Sequence, residues 1–576
     1  MLLYPLLWDS RSLIEDMQIL SHGLSTSDLC FIINCLILKA PLLFSVAASL
    51  MLQGVQAQDS TAIKAINANS FAKHIQVLAS DAFEGRKPFT RGEDSTIQYL
   101  ARQFKALGLK PGNGNSYFQD VPMVSIASKP AGNLVIKGAG GEVALQYLDD
   151  YVAATRRVQD QVNISNSELV FAGYGIVAPE YGHNDYAGLD VKGKTVIVMI
   201  NDPGFADNNL FKGRTMTYYG RWTYKFEEAS RQGATGVIII HETAAASYPW
   251  KVVRSGWSNS KLHLQTADNN MSRTALEGWI TQDAAKKIFQ LAGISPDIME
   301  KARQKDFKPV DLHLKTSLVI NNTIKKSTSH NVLAILPGTK RPQECVVFSA
   351  HWDHFGIGEP VKGDSIYNGA VDNATGTAGL LELATAFSSL KTKPARSVLF
   401  LSVTGEEQGL LGSEYYASHP VFAPEKTVAD INLDVLNTFG RTKDITVIGM
   451  GQSELDEYAR RAAALQGRVT VPEANPEGGW FFRSDHFNFA KKGVPGLYLG
   501  PGNDIVGKAP GSGKEKTAEY NRLRYHSPAD EFNPDTWVMD GMVEDVRLMF
   551  NVGYTLSNES TFPQWKKGSE FKAYRK

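Results

Sequence analysis

The stretch "CVVFSAHWDHFG" (345–356) places the end of a buried strand directly before three potential metal ligands. Its first six residues are apolar or small and have the length of a strand. His351, Asp353 and His354 follow at the carboxyl end of that strand. In open α/β sheets, ligands bind beyond the carboxyl ends of the strands. The stretch therefore indicates both the fold class and the position of a functional site.

From Asn331 onward, apolar runs of strand length alternate with helical segments. The apolar runs are "NVLAILPG" (331–338), "RSVLFLSVT" (396–404), "VADINLDVLN" (428–437) and "GVPGLYLG" (493–500). The helical segments between them include "TGTAGLLELATAFSSL" (375–390) and "SELDEYARRAAALQG" (453–467). Near-continuous apolar strands with helical crossovers are typical of a sheet that is covered on both faces. We expect an α/β fold with a mostly parallel mixed sheet flanked by helices.

The length of the chain, 576 residues, predicts two or three domains, because a single hydrophobic core stops growing at about 250–300 residues. Between about residues 125 and 320 the pattern changes to short β-like runs with turn signals, such as "ELVFAGYGI" (168–176). This segment is expected to form a second, mixed α/β domain. The boundaries that we expect are a leader at 1–57, the first part of the main domain at 58–124, the inserted domain at 125–320 and the rest of the main domain at 321–576.

The first residues resemble an export signal. "APLLFSVAASLMLQG" (40–54) is apolar, follows Lys39 and precedes the small-residue sequence "VQA" (55–57). We expect cleavage after Ala57 and an exported protein of the periplasm, the cell envelope or the medium. The alternative is an uncleaved anchor, because residues 31–54 hold one charge and are long enough to span a bilayer. Only Cys345 lies beyond the leader, so the mature chain has no intramolecular disulfide.

The overall charge argues against two classes of partner. Lys and Arg together number 60, as do Asp and Glu, and neither sign forms a long run. Neither nucleic acid nor an anionic membrane surface is therefore expected to bind, and a stable membrane partner is expected only if the leader is uncleaved. The sequence leaves the oligomeric state open.

Five separate loops carry imidazole or carboxylate groups to the same predicted edge of the sheet. These groups are His351 and Asp353, Asp372 in "NGAVDNATGTAG", Glu406 and Glu407 after "RSVLFLSVT", Asp434 after "VADINL", and His526 beside Tyr525 in "RYHSPADEF". Any one of them alone is better explained as a surface residue, a turn former or a helix cap. Together at one edge they repel one another unless a cation lies between them.

The chemistry of these groups indicates zinc. Imidazole and carboxylate ligands without thiolates suit an open zinc site, as opposed to a closed structural one. Five side chains can hold two ions if one carboxylate bridges them. Of the adjacent pair Glu406 and Glu407, one would bind a metal, and its neighbour would accept a proton from the attacking water as general base.

The motifs "HWDHFG", "GAVDNATGTAGLLELA", "VTGEEQGLLGSEYY", "INLDVLN" and "YHSPADEF" resemble, in this order, metallopeptidase family 28. This family of secreted di-zinc exopeptidases includes bacterial leucyl aminopeptidases, glutamate carboxypeptidase and the non-catalytic transferrin receptor. The similarity covers roughly residues 327–535, and the segment 73–119 resembles the N-terminal helices of the family. The resemblance implies the zinc exopeptidase fold, and it identifies the insert at 125–320 as similar to a protease-associated domain beside the active-site cleft.

The resemblance also implies a role for each site residue. Asp372 would bridge two Zn²⁺ ions, with His351 and Asp434 on one ion and Glu407 and His526 on the other. Glu406 would be the general base, Asp353 would orient His351, and Tyr525 would stabilise the tetrahedral intermediate. The peptide bond after Asp372 is expected to be cis. Asp485 and His486 in "RSDHFNF" are expected to be structural or to line the substrate pocket, because every ligand position is already filled.

The function that we expect is a zinc-dependent aminopeptidase acting on peptide substrates, with two Zn²⁺ ions per chain. The same fold also allows a carboxypeptidase for acidic C-terminal residues and a glutaminyl cyclase. An envelope protein that binds peptides through the insert without turnover is a further alternative.

Overall fold

The computed structural model describes residues 61–575, and the described residues from Ile63 onward form one compact unit. The predicted leader (1–57) and its cleavage after Ala57 lie outside the described residues, so export stays a prediction. The domain boundaries at 125–320 likewise stay a prediction. Within residues 61–575, no helix is both long enough and apolar enough to cross a membrane.

Helices flank the sheet and connect many of its strands. Their bounds are α1 Ala68–Leu78, α2 Arg91–Ala106, α3 Trp222–Arg231, α4 Thr243–Ala246, α5 Trp250–Trp257, α6 Gln282–Leu291, α7 Ile298–Lys301, α8 Thr375–Ser389, α9 Leu411–Ser418, α10 Leu455–Ala464, α11 His486–Ala490, α12 Ser512–Leu523 and α13 Asp540–Asn558.

The strands vary from two residues to 27 residues in length. Their bounds are β1 Lys110–Pro111, β2 Phe118–Pro130, β3 Leu134–Gly138, β4 Gly141–Leu145, β5 Tyr151–Ala154, β6 Gln161–Phe171, β7 Val177–Ala178, β8 His183–Asn184, β9 Thr195–Met199, β10 Gly236–His241, β11 Lys261–Leu264, β12 Leu276–Thr281, β13 Val310–Leu336, β14 Arg341–His351, β15 Gly356–Val361, β16 Asp364–Tyr367, β17 Arg396–Val403, β18 Thr427–Asn432, β19 Asp444–Ile448, β20 Val469–Pro472 and β21 Gly496–Gly500.

The strand β13 joins the two halves of a single mixed sheet. Its first half pairs antiparallel with β3 and β6, its middle with β2, and its last residues with β17. Beyond β17, the strands β14, β18 and β21 follow in parallel. The described part of the sheet has 17 strands, and two separate hairpins, β7–β8 and β15–β16, lie outside it.

The predicted fold class is confirmed for the region from Asn331 onward, where most strand pairs are parallel and helices flank the sheet. The sequence did not predict the length of β13. A register shift between Asp311 and Leu314, and another between Thr316 and Leu318, interrupt its pairing with β6. Exposed residues such as Asn321, Thr323 and Lys325 then follow in its middle, so its apolar pattern is broken.

Aromatic packing fixes the parallel strands to the C-terminal helix. The ring of Phe348 on β14 stacks on Phe400 of β17, with centroids 6.0 Å apart, and also contacts Phe387 of α8. On its other side, α13 approaches through Gly553. A Cβ atom at Gly553 would lie 2.2 Å from Cζ of Phe348. The close approach of helix and strand therefore requires glycine here.

The substitution Gly553→Ala tests this packing, because helix propensity and packing predict opposite signs. Alanine raises helix propensity by about 1 kcal/mol over glycine, but overpacking a filled core costs about 1–3 kcal/mol. We expect Gly553→Ala to lower the free energy of unfolding, measured by urea denaturation. The control is Gly256→Ala in α5, where nothing lies within 4 Å of the new Cβ, and which should leave stability unchanged or raise it. A stabilised Gly553→Ala protein would contradict the packing argument.

Candidate metal centre

The parallel strands bring the predicted ligands to one edge of the sheet. His351 at the end of β14 lies opposite Val403, the last residue of β17, and Ser349 lies opposite Asn432, the last residue of β18. The loops that follow these three strands therefore begin side by side. They carry His351, Asp353 and His354, then Glu406 and Glu407, then Asp434.

Asp372 lies between two histidines. It belongs to a short turn, Ala370–Ala374, directly before α8, and the peptide bond between Asp372 and Asn373 is cis. Its Oδ1 atom is 3.3 Å from Nε2 of His351, and its Oδ2 atom is 3.3 Å from Nε2 of His526. Each carboxylate oxygen thus faces a different imidazole, as a bridging ligand requires.

A second carboxylate completes a triad on each side of Asp372. The Oδ1 atom of Asp434 lies 3.3 Å from Nε2 of His351, and Oε2 of Glu407 lies 3.2 Å from Nε2 of His526. Ligands at about 2.0–2.1 Å from a tetrahedral zinc ion lie about 3.3–3.4 Å from one another. The observed separations match this spacing and exceed the usual hydrogen-bond length of about 2.9 Å. The donor types and these separations therefore suit metal ligands on both sides of Asp372.

His354, which the sequence analysis named as a potential ligand without assigning it a role, also faces the side that holds Glu407. Its Nδ1 atom is 2.6 Å from Oε1 of Glu407, while the other oxygen of that carboxylate faces His526. His354, Asp372 and Glu407 form a compact group of potential ligands of their own. His354 thus fixes the orientation of Glu407 from behind. The "HWDH" spacing could have suggested such a contact.

Asp353 connects the loops that carry His351 and Glu406. Its backbone carbonyl accepts a hydrogen bond from Nδ1 of His351 at 3.1 Å, which leaves Nε2 of that ring available as a ligand. Its carboxylate lies 3.8 Å from the same Nδ1 atom and accepts the backbone N–H of Glu406 at 3.1 Å. Asp353 therefore positions the imidazole through its backbone and the glutamate through its side chain.

Glu406 lies beside the triads without belonging to either. Its Oε2 atom is 4.0 Å from Nε2 of His351, and its side chain is 11% exposed. Burial raises the pKa of Glu406 well above its ordinary value, an effect that the charge of His351 opposes and that of Glu407 increases. A buried carboxyl with a raised pKa has a high affinity for a proton, as a general base near neutral pH needs.

The metal-free site is electrostatically unfavourable. Burial lowers the pKa of His526, but the neighbouring carboxylates of Asp372 and Glu407 outweigh it and raise that pKa to about 10. Burial also raises the pKa of Asp353 to about 7. Without metal, protonated imidazoles balance the carboxylates. Bound cations would take over that charge and release the protons.

Two residues that the sequence analysis did not single out hold the loops of this centre. Arg86 is fully buried and donates from Nε to the carbonyl of Trp352, from Nη1 to those of Leu78 and Asn368, and from Nη2 to that of Gly369. The carbonyls of Trp352, Asn368 and Gly369 precede Asp353 and Asp372 in the chain.

Asp530, from the "YHSPADEF" motif, supports the same region from the other side. Its carboxylate accepts the backbone N–H groups of Val371 and Asp372, both at 3.0 Å. Asn373 also anchors the turn, because its Nδ2 atom donates to the carbonyl of Leu433 at 2.9 Å. The bridging carboxylate is therefore held by a network that lies outside the ligand set.

The remaining predicted residues lie at the rim of the centre or beneath it. Tyr525 is 38% exposed, and its ring stacks on His526 with centroids 3.7 Å apart. Asp485 accepts a hydrogen bond from Oγ of Ser413, and His486 is buried against Phe481. Neither Asp485 nor His486 belongs to the ligand groups found among the described residues.

A cavity of about 470 Å³ opens beside the centre. Residues from both the expected main domain and the expected insert line it, among them Glu406, Glu407, Tyr525 and His526 from the first and Arg156, Arg221, Trp257 and Lys261 from the second. Its volume lies in the range of about 300–1,000 Å³ that is usual for small-ligand sites.

Known proteins match this chain in part. Residues 331–550 match the sequence model of "Peptidase family M28". The relatives include Aminopeptidase NAALADL1 of Mus musculus, which is 36% identical over 132 residues (22% of this chain and 16% of the relative). Carboxypeptidase Q of Xenopus laevis is 25% identical over 327 residues (56% and 58%). A probable zinc metalloprotease of Pyricularia oryzae is 34% identical over 108 residues (19% and 21%). The chain thus spans less than two thirds of each of these relatives.

Solved structures also align with most of the chain. The aminopeptidase from Aneurinibacillus sp. strain AM-1 has a TM-score of 0.46 and 21% identity, and the alignment covers 88% of this chain and 97% of that one. BSAP, a zinc aminopeptidase from Bacillus subtilis, has a TM-score of 0.40 and 18% identity, with 88% and 98% covered.

The substitution Arg86→Lys tests the support of the loops. Lysine keeps the charge, but it lacks the guanidinium fork that reaches four carbonyls at once. Because each buried carbonyl left without a donor costs about 1–3 kcal/mol, we expect the free energy of unfolding to fall by about 2–4 kcal/mol in urea denaturation. The control is Arg102→Lys on the exposed face of α2, which should change stability by less than about 0.5 kcal/mol. Equal stability of the two variants would contradict the role of Arg86.

Proposed function

We propose that this chain, whose residues 331–550 match the sequence model of peptidase family M28, is a zinc-dependent exopeptidase of that family. Its preferred reaction in this proposal is removal of the N-terminal residue from peptides. The observation that carries the proposal is the pair of triads that share Asp372, with spacings of 3.2–3.3 Å between ligand atoms.

Two zinc ions per chain fit the donor set. His351, Asp434 and one oxygen of Asp372 would hold the first, and Glu407, His526 and the other oxygen of Asp372 the second. Bound zinc would supply Lewis acidity, which polarises a peptide carbonyl and lets water attack near neutral pH. The probable zinc metalloprotease of Pyricularia oryzae supports this choice of metal.

Glu406 would move the proton of the reaction. Its carboxylate borders both the ligand triads and the cavity. It would take a proton from the attacking water and deliver it to the nitrogen of the leaving amine. Asp353 would hold Glu406 in place through the hydrogen bond to its backbone N–H.

Tyr525 would stabilise the developing negative charge on the carbonyl oxygen. Its ring is fixed by stacking on His526, and its side chain lines the cavity. Burial raises the pKa of Tyr525 above its ordinary value, so the hydroxyl keeps its proton and can donate a hydrogen bond.

A carboxypeptidase is the second candidate, because the match to Carboxypeptidase Q of Xenopus laevis covers more than half of this chain. The two activities use the same centre and differ in which end of the peptide is recognised. Aminoacyl anilides, which have a free amino end and no peptide carboxyl end, are substrates only for the aminopeptidase.

Removal of zinc tests the metal sites. We expect about two zinc ions per chain by elemental analysis, loss of peptide hydrolysis in chelator and recovery on addition of zinc. Asp372→Asn should weaken both sites, because one oxygen of the bridge loses its charge, whereas the exposed control Asp535→Asn should keep both ions. A zinc-free protein that still hydrolyses peptides would refute the proposal. Peptide binding without turnover, unaffected by chelator, would favour a binding protein.

The substitution Glu406→Gln tests the general base. Glutamine keeps the shape of the side chain but cannot accept the proton, so we expect kcat to fall by about 10²–10⁴-fold while zinc content stays unchanged. The control Glu425→Gln changes an exposed glutamate outside the centre and should keep full activity. A Glu406→Gln enzyme with normal kcat would assign the proton transfer to another group.

A further inference from the structure

The wall of the cavity beside the centre carries several cations, and two of them are already neutralised. Nε of Arg156 lies 2.9 Å from Oε2 of Glu277, and Nζ of Lys491 lies 3.7 Å from Oε1 of Glu227. Glu277 and Glu227, which also line the cavity, are therefore already paired with these two cations. The other Arg and Lys residues of the wall are Arg221, Lys261 and Arg483.

Arg221 and Arg483 lack a carboxylate partner among the described residues. The Nε atom of each is buried and has no hydrogen-bond acceptor. The side chain of Arg483 is held by the carbonyl of Gly478, which accepts from Nη2 at 2.7 Å, and by the ring of Trp480 beneath its guanidinium. Glu473 is near enough to raise the pKa of Arg483, but it forms no ion pair with it; its Oε1 atom accepts the backbone N–H of Gly449, and its Oε2 atom has no hydrogen-bond partner.

The two guanidinium groups influence each other, although they have the same charge. Burial, and then the charge of Arg483, lowers the pKa of Arg221 to about 9, so Arg221 remains charged near neutral pH. Lys261 adds a third basic group to this wall, with its Nζ atom 4.0 Å from the ring centroid of Trp257. Neighbouring half-buried cations without a counterion are unfavourable, and an anionic ligand would relieve that cost.

The chemistry of guanidinium narrows the choice of anion. Arginine presents planar, parallel N–H groups that match the two oxygens of a carboxylate. A peptide offers a carboxylate at its C-terminus and in its acidic side chains. The same cavity is lined by Glu406, Tyr525 and His526, so a peptide bound there can reach the centre and the arginine pair together.

We propose that Arg221 and Arg483 form a carboxylate-binding subsite, and that the preferred substrates are short peptides whose free C-terminal or side-chain carboxylate binds there while the scissile bond lies at the metal centre. This proposal rests on the exopeptidase function proposed above. It predicts discrimination by charge at the end of the substrate that is remote from the cleaved bond.

Three peptides of equal length separate the sources of the carboxylate. They are leucyl-diglycine with a free C-terminus, the same tripeptide as its C-terminal amide, and an amidated tripeptide with an aspartate in the third position. We expect KM to be at least tenfold lower for one or both of the carboxylate-bearing peptides than for the neutral amide, with similar kcat. A lowered KM for the first peptide alone would identify the C-terminal carboxylate as the ligand. A lowered KM for the third peptide would identify an acidic side chain.

Arg221→Met tests the assignment to the arginine pair, because Nε of Arg221 makes no hydrogen bond that the fold would lose. It should raise KM for the preferred peptide about tenfold, so that this KM approaches the value for the neutral amide. Arg483→Met should act in the same direction. Arg214→Met, which changes an exposed arginine of the same segment, should keep the discrimination. Equal KM values for all three peptides, or discrimination that survives in Arg221→Met, would overturn the subsite.

Calorimetry on the Glu406→Gln protein separates this inference from the function on which it rests. Binding of the free acid, measured without turnover, should be at least tenfold tighter than binding of the amide, and Arg221→Met in the same background should abolish the difference. Equal binding overturns the subsite, even if peptide hydrolysis is found. If binding to Glu406→Gln depends on charge but the unsubstituted protein hydrolyses none of the peptides, the subsite is supported and the exopeptidase function is refuted.

Discussion

The carboxylate of Asp372, held between the imidazoles of His351 and His526, is the constraint on which the rest of the site depends. Its two oxygens face different histidines at 3.3 Å. Around it the fold concentrates acidic groups that cannot all be charged in a metal-free interior. Two divalent ions would neutralise these buried carboxylates and so allow them to be charged. The adjacent glutamates then have different roles, since Glu407 belongs to a ligand triad and Glu406 borders the cavity.

The rigidity of this arrangement comes from groups that bind no ligand. Arg86 holds backbone carbonyls before Asp353 and Asp372, and Asp530 holds the N–H groups at the turn of Asp372. A bridging ligand must keep each oxygen within a few tenths of an ångström of its ion. Buried hydrogen bonds to the backbone provide such precision better than flexible side-chain contacts do. The parallel strands provide the common edge, and these two residues fix the loops upon it.

Local pattern in the sequence predicts part of the fold and part of the site. Strand ends in a parallel sheet lie together, so His351, Glu407 and Asp434 can be grouped from the sequence alone. The contacts of Arg86 cannot be predicted from the sequence, because its acceptors at Trp352 and Gly369 are 266 and 283 residues away in the chain. The unpaired charge of Arg221 and Arg483 is also hidden, since unpaired charge is a property of the packed cavity. The 27-residue strand β13 was missed because exposed polar residues interrupt its pattern.

Anomalous diffraction at the zinc absorption edge, on crystals of the protein grown with zinc, tests the central claim most directly. The account predicts two peaks about 3.5–4 Å apart, one between His351 and Asp434 and the other between Glu407 and His526, with an oxygen of Asp372 on each. A single peak, or peaks that do not contact Asp372, would contradict it.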